Sequence, residues 1–116
     1  MVNIPGLGVL IWELATGTLV DANDVLLEMS GYTRQQVASG QITWRKLTPA
    51  EHLAESERQI EQLAHTGRIG PYQKDLIHAD GSRSPMLYVG SGMSDRTVVE
   101  YCVDLRPPEP LSQRSS

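Results

Sequence analysis

A long helical segment with strand-like segments on both sides is the sequence feature that most constrains the fold of this chain. The helical segment begins near Thr48 and ends at Gly67, with apolar residues at helical spacing on one face and charged residues on the other. Two short apolar segments, residues 9–14 and 19–22, precede it and flank a glycine-containing turn. The strand-like segments after it cover residues 72–78, 83–89 and 98–105. This order predicts an α+β fold with the helices gathered on one face of an antiparallel sheet.

Local helix signals divide the region between the first two strands and the last three. Thr48, Pro49 and Glu51 stand in the order of an N-cap, a first helical residue and the acid of a capping box, so we expect the long helix to begin there. Asn23 is a favourable N-cap for a shorter helix that ends at Gly31. Further short helical turns are expected between these two helices.

Composition and charge limit the classes of function. The 116 residues fit one globular domain, and Asp+Glu 14 outnumber Lys+Arg 10, which gives a net charge of -4. Because no basic surplus is present, we expect no direct nucleic-acid partner. No apolar run approaches the ~20 residues that cross a bilayer, so neither insertion nor secretion is expected. One cysteine, Cys102, cannot close an internal disulfide, and a cytoplasmic location is predicted.

The sequence contains no motif typical of an enzyme or a metal site. It lacks a Gly-x-Ser-x-Gly elbow and a glycine-rich phosphate loop, and its three histidines and one thiol do not have metal-ligand spacing. We therefore expect no catalytic residues and no bound metal. Cys102 is either a redox sensor or an inert buried thiol, and the absence of a neighbouring cation in the sequence favours the inert thiol.

Several short motifs, taken together, resemble those of the PAS sensory domain. They are Asp21-Ala22-Asn23, Met29 to Arg34, Trp44 to Glu51, Gly70 to Lys74, Asp80 to Pro85, and Asp104-Leu105. The resemblance covers residues 6–105 and leaves 1–5 as a lead-in and 106–116 as a Pro/Ser-rich tail or linker. It implies a five-stranded antiparallel sheet in the order 2-1-5-4-3, with helices packed on one face around a small pocket.

The resemblance also allows cofactors to be tested residue by residue. Flavin photosensors of this family that form a cysteinyl adduct carry a cysteine in the connector helix, and residues 41–47 contain none. Family members with a histidine-ligated haem place that histidine midway along the long helix, where residues 56–60 contain none. We therefore expect no haem or flavin. The alternative is a PAS domain that senses redox state or gas through haem or noncovalent flavin.

The register of the family's strands implies a ligand pocket facing the helices. Its predicted residues are Leu26, Met29, Trp44, Ile60, Lys74, Leu76, Met86, Tyr88, Glu100 and Cys102. Lys74 and Glu100 cannot be buried without partners, so they either pair with each other, reach water at the pocket mouth, or bind a ligand. Trp44 either caps a ligand or fills the core.

The same register implies an apolar surface on the other side of the sheet. Hydrophobicity alone would turn Val99, Tyr101 and Val103 toward the core, whereas the family register turns them outward. An exposed apolar stripe favours a partner, and we expect a homodimer through these three residues.

The resemblance as a whole implies a sensory or regulatory module of a bacterial-type signalling protein. Such a module binds a small ligand, mediates protein interaction and dimerisation, or does both, and passes a change in its pocket or sheet to an effector domain or signalling partner. No chemistry is expected of the module itself.

Overall fold

One antiparallel sheet of five strands carries the helices on a single face. A computed structural model describes residues 1–107. The elements in chain order are β1 Leu7–Glu13, β2 Leu19–Ala22, α1 Asp24–Ser30, α2 Arg34–Ala38, α3 Trp44–Leu47, a 3-10 turn Ala50–His52, α4 Leu53–Thr66, β3 Arg68–Ile77, β4 Arg83–Gly92 and β5 Thr97–Asp104. The strand order is β2-β1-β5-β4-β3, which confirms the predicted α+β class and sheet order. Most of the predicted tail, 106–116, lies outside the described residues.

The main core lies between the inner face of the sheet and the short helices. Its buried side chains are Leu10, Trp12, Leu19, Ala22, Leu26, Val37, Ile42, Leu47, Leu76, Met86, Tyr88 and Cys102. At the centre of the sheet, β5 pairs with β1 on one side and β4 on the other. Side chains that alternate along β5 therefore face either this core or the opposite surface.

Asn23 caps α1, as predicted, and it also joins that helix to the sheet. Its side-chain oxygen accepts hydrogen bonds from the main-chain N–H groups of Leu26 (2.9 Å) and Val9 (3.0 Å). Its amide nitrogen donates to the carbonyl oxygen of Leu7 at 2.9 Å. Because Asn23 is only 1% exposed, water cannot replace these bonds. The helix ends at Gly31, whose positive φ of 80° closes the final turn.

Thr48 does not cap the long helix, so the predicted capping box is wrong. The helix α4 begins at Leu53 after the 3-10 turn, and no side chain caps that turn or α4. The hydroxyl of Thr48 instead donates to a main-chain carbonyl of α3 and accepts a hydrogen bond from Lys74 Nζ at 3.1 Å. The acid expected in the box, Glu51, pairs with Arg83 of β4 at 2.7 Å. The side chains of Thr48 and Glu51 therefore bond to residues distant in the sequence and do not form the capping box.

The surface of the sheet opposite the helices carries rows of uncharged side chains across β1, β5 and β4. We call these nine residues the outer apolar face: Leu7–Val103–Leu87, Val9–Tyr101–Val89 and Ile11–Val99–Ser91. Tyr101 is 38% exposed and Val103 is 43% exposed, whereas Val99 is half-buried. The three residues predicted for an outward surface thus lie there, in the register that the resemblance implied.

None of the helices within residues 1–107 combines the length and the apolar character that a bilayer crossing demands.

Replacing Asn23 with alanine is expected to lower the free energy of unfolding by about 3 kcal/mol, because the change removes a cap and leaves buried main-chain groups unpaired. Thr33 is a suitable control, since it caps α2 from an exposed position and its loss is expected to cost about 1 kcal/mol. Urea unfolding of Asn23→Ala and Thr33→Ala measures both values. Equal losses would contradict the joining role of Asn23.

Candidate functional site

A cavity lies between α4, the β1–β2 hairpin and the inner face of the sheet. Its volume is about 60 Å³, which is room for a few waters or for one end of a small molecule. The hairpin contributes Trp12, Glu13, Leu14 and Gly17, α3 contributes Trp44, α4 contributes Ser56, Gln59, Ile60 and Leu63, and the sheet contributes Ile69, Tyr72, Lys74, Val98 and Glu100.

Lys74 brings a buried ammonium group to this cavity from β3. Its Nζ donates to Thr48 Oγ1 and to Ser56 Oγ, each at 3.1 Å. The same nitrogen lies 4.9 Å from the ring centroid of Tyr88 and 5.4 Å from that of Tyr72, distances at which aromatic faces attract a cation. With the side chain only 6% exposed, these four neighbours replace most of its hydration.

Glu100 brings a buried carboxylate to the cavity from the central strand. Its Oε1 accepts a hydrogen bond from Trp12 Nε1 at 2.9 Å, and the residue is 5% exposed. Within residues 1–107, no direct ion pair joins Glu100 to Lys74. Of the three alternatives that the sequence left open for these groups, direct pairing is therefore not observed, because each is held by different neutral partners.

Burial moves both charged groups toward their neutral forms. It raises the pKa of the Glu100 carboxyl above its usual value, although nearby Lys74 and the Trp12 hydrogen bond oppose the change. Burial likewise lowers the pKa of the Lys74 ammonium, and the negative charge of Glu100 opposes this change. The two groups are thus close enough to affect each other's charge, and each stabilises the ionised form of the other.

The cavity mouth is mainly apolar, although the half-buried Glu13 and Gln59 also line the cavity. Leu14 of the hairpin and Ile60 of α4 are 41% and 36% exposed and border the opening. Trp44 lies beside them, half-buried, with the guanidinium of Arg45 over its ring at 4.5 Å. A Cβ atom at Gly17 would lie 2.9 Å from the Trp44 ring, so the glycine lets the hairpin approach the indole closely. Trp44 therefore both covers the opening and packs against the core.

The predicted pocket residues divide into two groups. Trp44, Ile60, Lys74 and Glu100 line the cavity. The other predicted residues, Leu26, Met29, Leu76, Met86, Tyr88 and Cys102, pack in or against the main core. At that end of the sheet the absence of a side chain at Gly8 lets Leu26 and Cys102 pack closely against β1. Their assignment to a ligand site remains a prediction.

Most of the cavity residues are absent from the predicted pocket, and two of the three missed ones that contact Lys74 or Glu100 had a usable sequence signal. Ser56 precedes Ile60 and Leu63 by four and seven residues, so helical spacing places it on their face. Tyr72 alternates with Lys74 along β3 and must share its side of the sheet. Trp12 had no such signal, because apolar residues occupy both faces of β1.

Cys102 lies in the core and does not line the cavity. Its side chain is 0% exposed, and burial raises the pKa of its thiol to about 12. The thiol therefore stays protonated at neutral pH, which favours the inert alternative over the redox sensor.

The Glu100→Gln variant is expected to become more stable relative to the wild type as the pH rises from about 4 to about 8. The folded carboxyl has a raised pKa, so its contribution is fully present below its unfolded value near 4.5 and is lost as the pH rises through the folded value. Glutamine keeps an oxygen that can accept from Trp12 and does not titrate. Thermal melts of both proteins across this range measure the effect, and a difference independent of pH would contradict it.

Comparison with known proteins gives a family and several relatives. The model of the PAS domain family matches residues 6–106. The hybrid signal transduction protein dokA of Dictyostelium discoideum is 40% identical over 87 residues. These residues are 75% of this chain, but the match spans only 5% of dokA.

Solved structures share the fold. One is a domain of the sensory box sensor histidine kinase/response regulator from Geobacter sulfurreducens, with a TM-score of 0.71, 15% identity, and coverage of 86% of this chain and 84% of that chain. Another is the RpfR quorum-sensing receptor PAS domain from Cronobacter turicensis in complex with C12:0, with a TM-score of 0.72, 15% identity, and coverage of 91% and 100%. The family match, which includes all five strands and four α-helices, shows that the chain belongs to the PAS domain family.

Proposed function

We propose that this PAS domain is a sensory module of a signalling protein and that it responds to a small ligand bound in the cavity. The observation that carries the proposal is the burial of Lys74 and Glu100, two oppositely charged side chains, against a cavity that opens to solvent. Burying charge costs stability, and a ligand that pairs with these groups returns part of that cost. The relatives support this role, since dokA is a signal transduction protein and the RpfR domain holds C12:0.

The proposal includes no catalytic step and no cofactor. A haem or a flavin ring has tens of heavy atoms, so the cavity of about 60 Å³ would have to grow several-fold to hold either one. This volume favours a small ligand over the haem or flavin alternative. The bacterial origin and the cytoplasmic location inferred from the sequence remain predictions.

A second copy of the chain is the partner that we propose for the outer apolar face. Its nine residues include no charged side chain, so although each chain carries a net charge of -4, the like charges that meet are confined to bordering residues such as Asp21, which lies opposite Ile11. Identical surfaces pair by a two-fold axis, which brings the Tyr101 side chains of both copies into one interface. An effector domain or signalling partner would respond to changes in this pairing.

Blocking the mouth of the cavity is expected to abolish ligand binding. Ile60→Trp adds an indole at the opening, whereas Ala54→Trp adds one to an exposed position of α4 away from the cavity. A thermal-shift screen of small metabolites should identify compounds that stabilise the wild type and Ala54→Trp but not Ile60→Trp. The proposal fails if no compound stabilises the wild type, or if Ile60→Trp retains the full stabilisation.

Tyr101→Glu is expected to weaken homodimerisation by at least about tenfold, because an unpaired charge would be buried in the interface. Ala54→Glu is the control, since Ala54 is exposed on α4, which packs on the other side of the sheet. Sedimentation velocity over a range of concentrations gives the affinities. A monomeric wild type, or equal affinities for both variants, would rule out this dimer.

A further inference from the structure

The two buried charged groups have hydrogen-bonding capacity that the described residues do not use. An ammonium group donates three hydrogen bonds, and Lys74 uses two of them on Thr48 and Ser56. Glu100 Oε1 is engaged by Trp12, while Oε2 has no hydrogen-bond partner among residues 1–107. No side-chain oxygen in this part of the chain is both sealed and unpartnered, so Oε2 borders open space. The cavity is therefore lined by an ammonium with one N–H that neither hydroxyl uses and by one carboxylate oxygen without a partner among these residues.

The total charge of these two groups is zero while they share one proton between them, and it is +1 only where Glu100 is protonated as well. The sum is zero if both are ionised, and it is also zero if the proton has passed from Lys74 to Glu100. A ligand anion attracted by Lys74 would be repelled by Glu100, and a ligand cation would meet the opposite problem. Because a charged ligand would also lose its hydration on entering, the site favours an uncharged polar group.

The volume and the mouth determine the rest of the ligand. The enclosed space accommodates only a few heavy atoms beside Lys74 and Glu100. Any longer ligand must continue between Leu14 and Ile60, beneath Trp44, where the surface is mainly apolar. The polar end therefore lies inside the cavity and an apolar chain extends outward.

We propose that the cavity selects a small uncharged amphiphile whose inner end carries a hydrogen-bond donor beside an acceptor, such as a primary amide. Lys74 donates to the acceptor of the ligand, and Glu100 accepts from its donor. Carboxylates and amines with the same apolar chain are rejected. This inference rests on the proposed sensory function and adds the chemical class of the ligand.

Hexanamide, hexanoate and hexylammonium test the proposal, because they share one chain length and differ in the charge of the polar end. Trp12 and Trp44 are the two tryptophans of the chain and both line the cavity, so intrinsic fluorescence reports its occupancy. At neutral pH the wild type is expected to bind hexanamide at least about tenfold more tightly than either charged probe.

Two variants should reverse this preference in opposite directions. Glu100→Gln leaves Lys74 as the charged group and should favour hexanoate, whereas Lys74→Met leaves Glu100 and should favour hexylammonium. Circular dichroism establishes that each variant is folded, and the ranking in the wild type decides the question if one is not. Equal or tighter binding of hexanoate by the wild type would overturn the selectivity and leave the proposed cavity intact. Failure of all three probes to bind would overturn both proposals.

Discussion

The burial of an ammonium and a carboxylate on one face of a small sheet is the constraint on which the surrounding structure depends. Neither Lys74 nor Glu100 relies on direct contact with the other, so the fold must provide neutral partners for each. Those partners come from three separate parts of the chain: Trp12 on β1, Thr48 after α3 and Ser56 on α4. The residues at α3 and α4 supply hydrogen bonds that replace the water these two charged groups lose on burial. The positions of both helices over the sheet therefore depend on this pair.

This constraint also explains the unequal packing of the two ends of the sheet. Near α1, hydrocarbon side chains and the Cys102 thiol meet directly and close the space between helix and sheet. Near α4, the side chains that face the sheet include polar groups that need specific distances to their partners. Filling the cavity completely with side chains would disturb these distances. The domain thereby has a closely packed end and an end that is open to solvent.

Local signals predicted the parts of the structure that depend on neighbouring residues. Asn23 caps α1 through a main-chain N–H three residues away, and Gly67 ends α4 with a positive φ of 76°, so short motifs suffice for both. The Thr48 capping box failed because its hydroxyl serves Lys74, which is 26 residues away. Trp12 and Glu100 are separated by 88 residues, and no local pattern could connect them. For β5, hydrophobicity alone predicted the wrong inward face, and only the resemblance to a known family predicted which side chains face inward.

The central strand places the two surfaces of the domain next to each other along the chain. Glu100 borders the cavity, and the adjacent Tyr101 belongs to the outer apolar face. Because β5 is hydrogen-bonded on both edges, it cannot slide past its neighbours without breaking two ladders, but it can still change its twist. A rotation of the backbone at Glu100 would turn the phenol of Tyr101 in the opposite direction. The path from the interior to the outer surface is then a single peptide bond, and transmission along it requires no relay of side chains through the core.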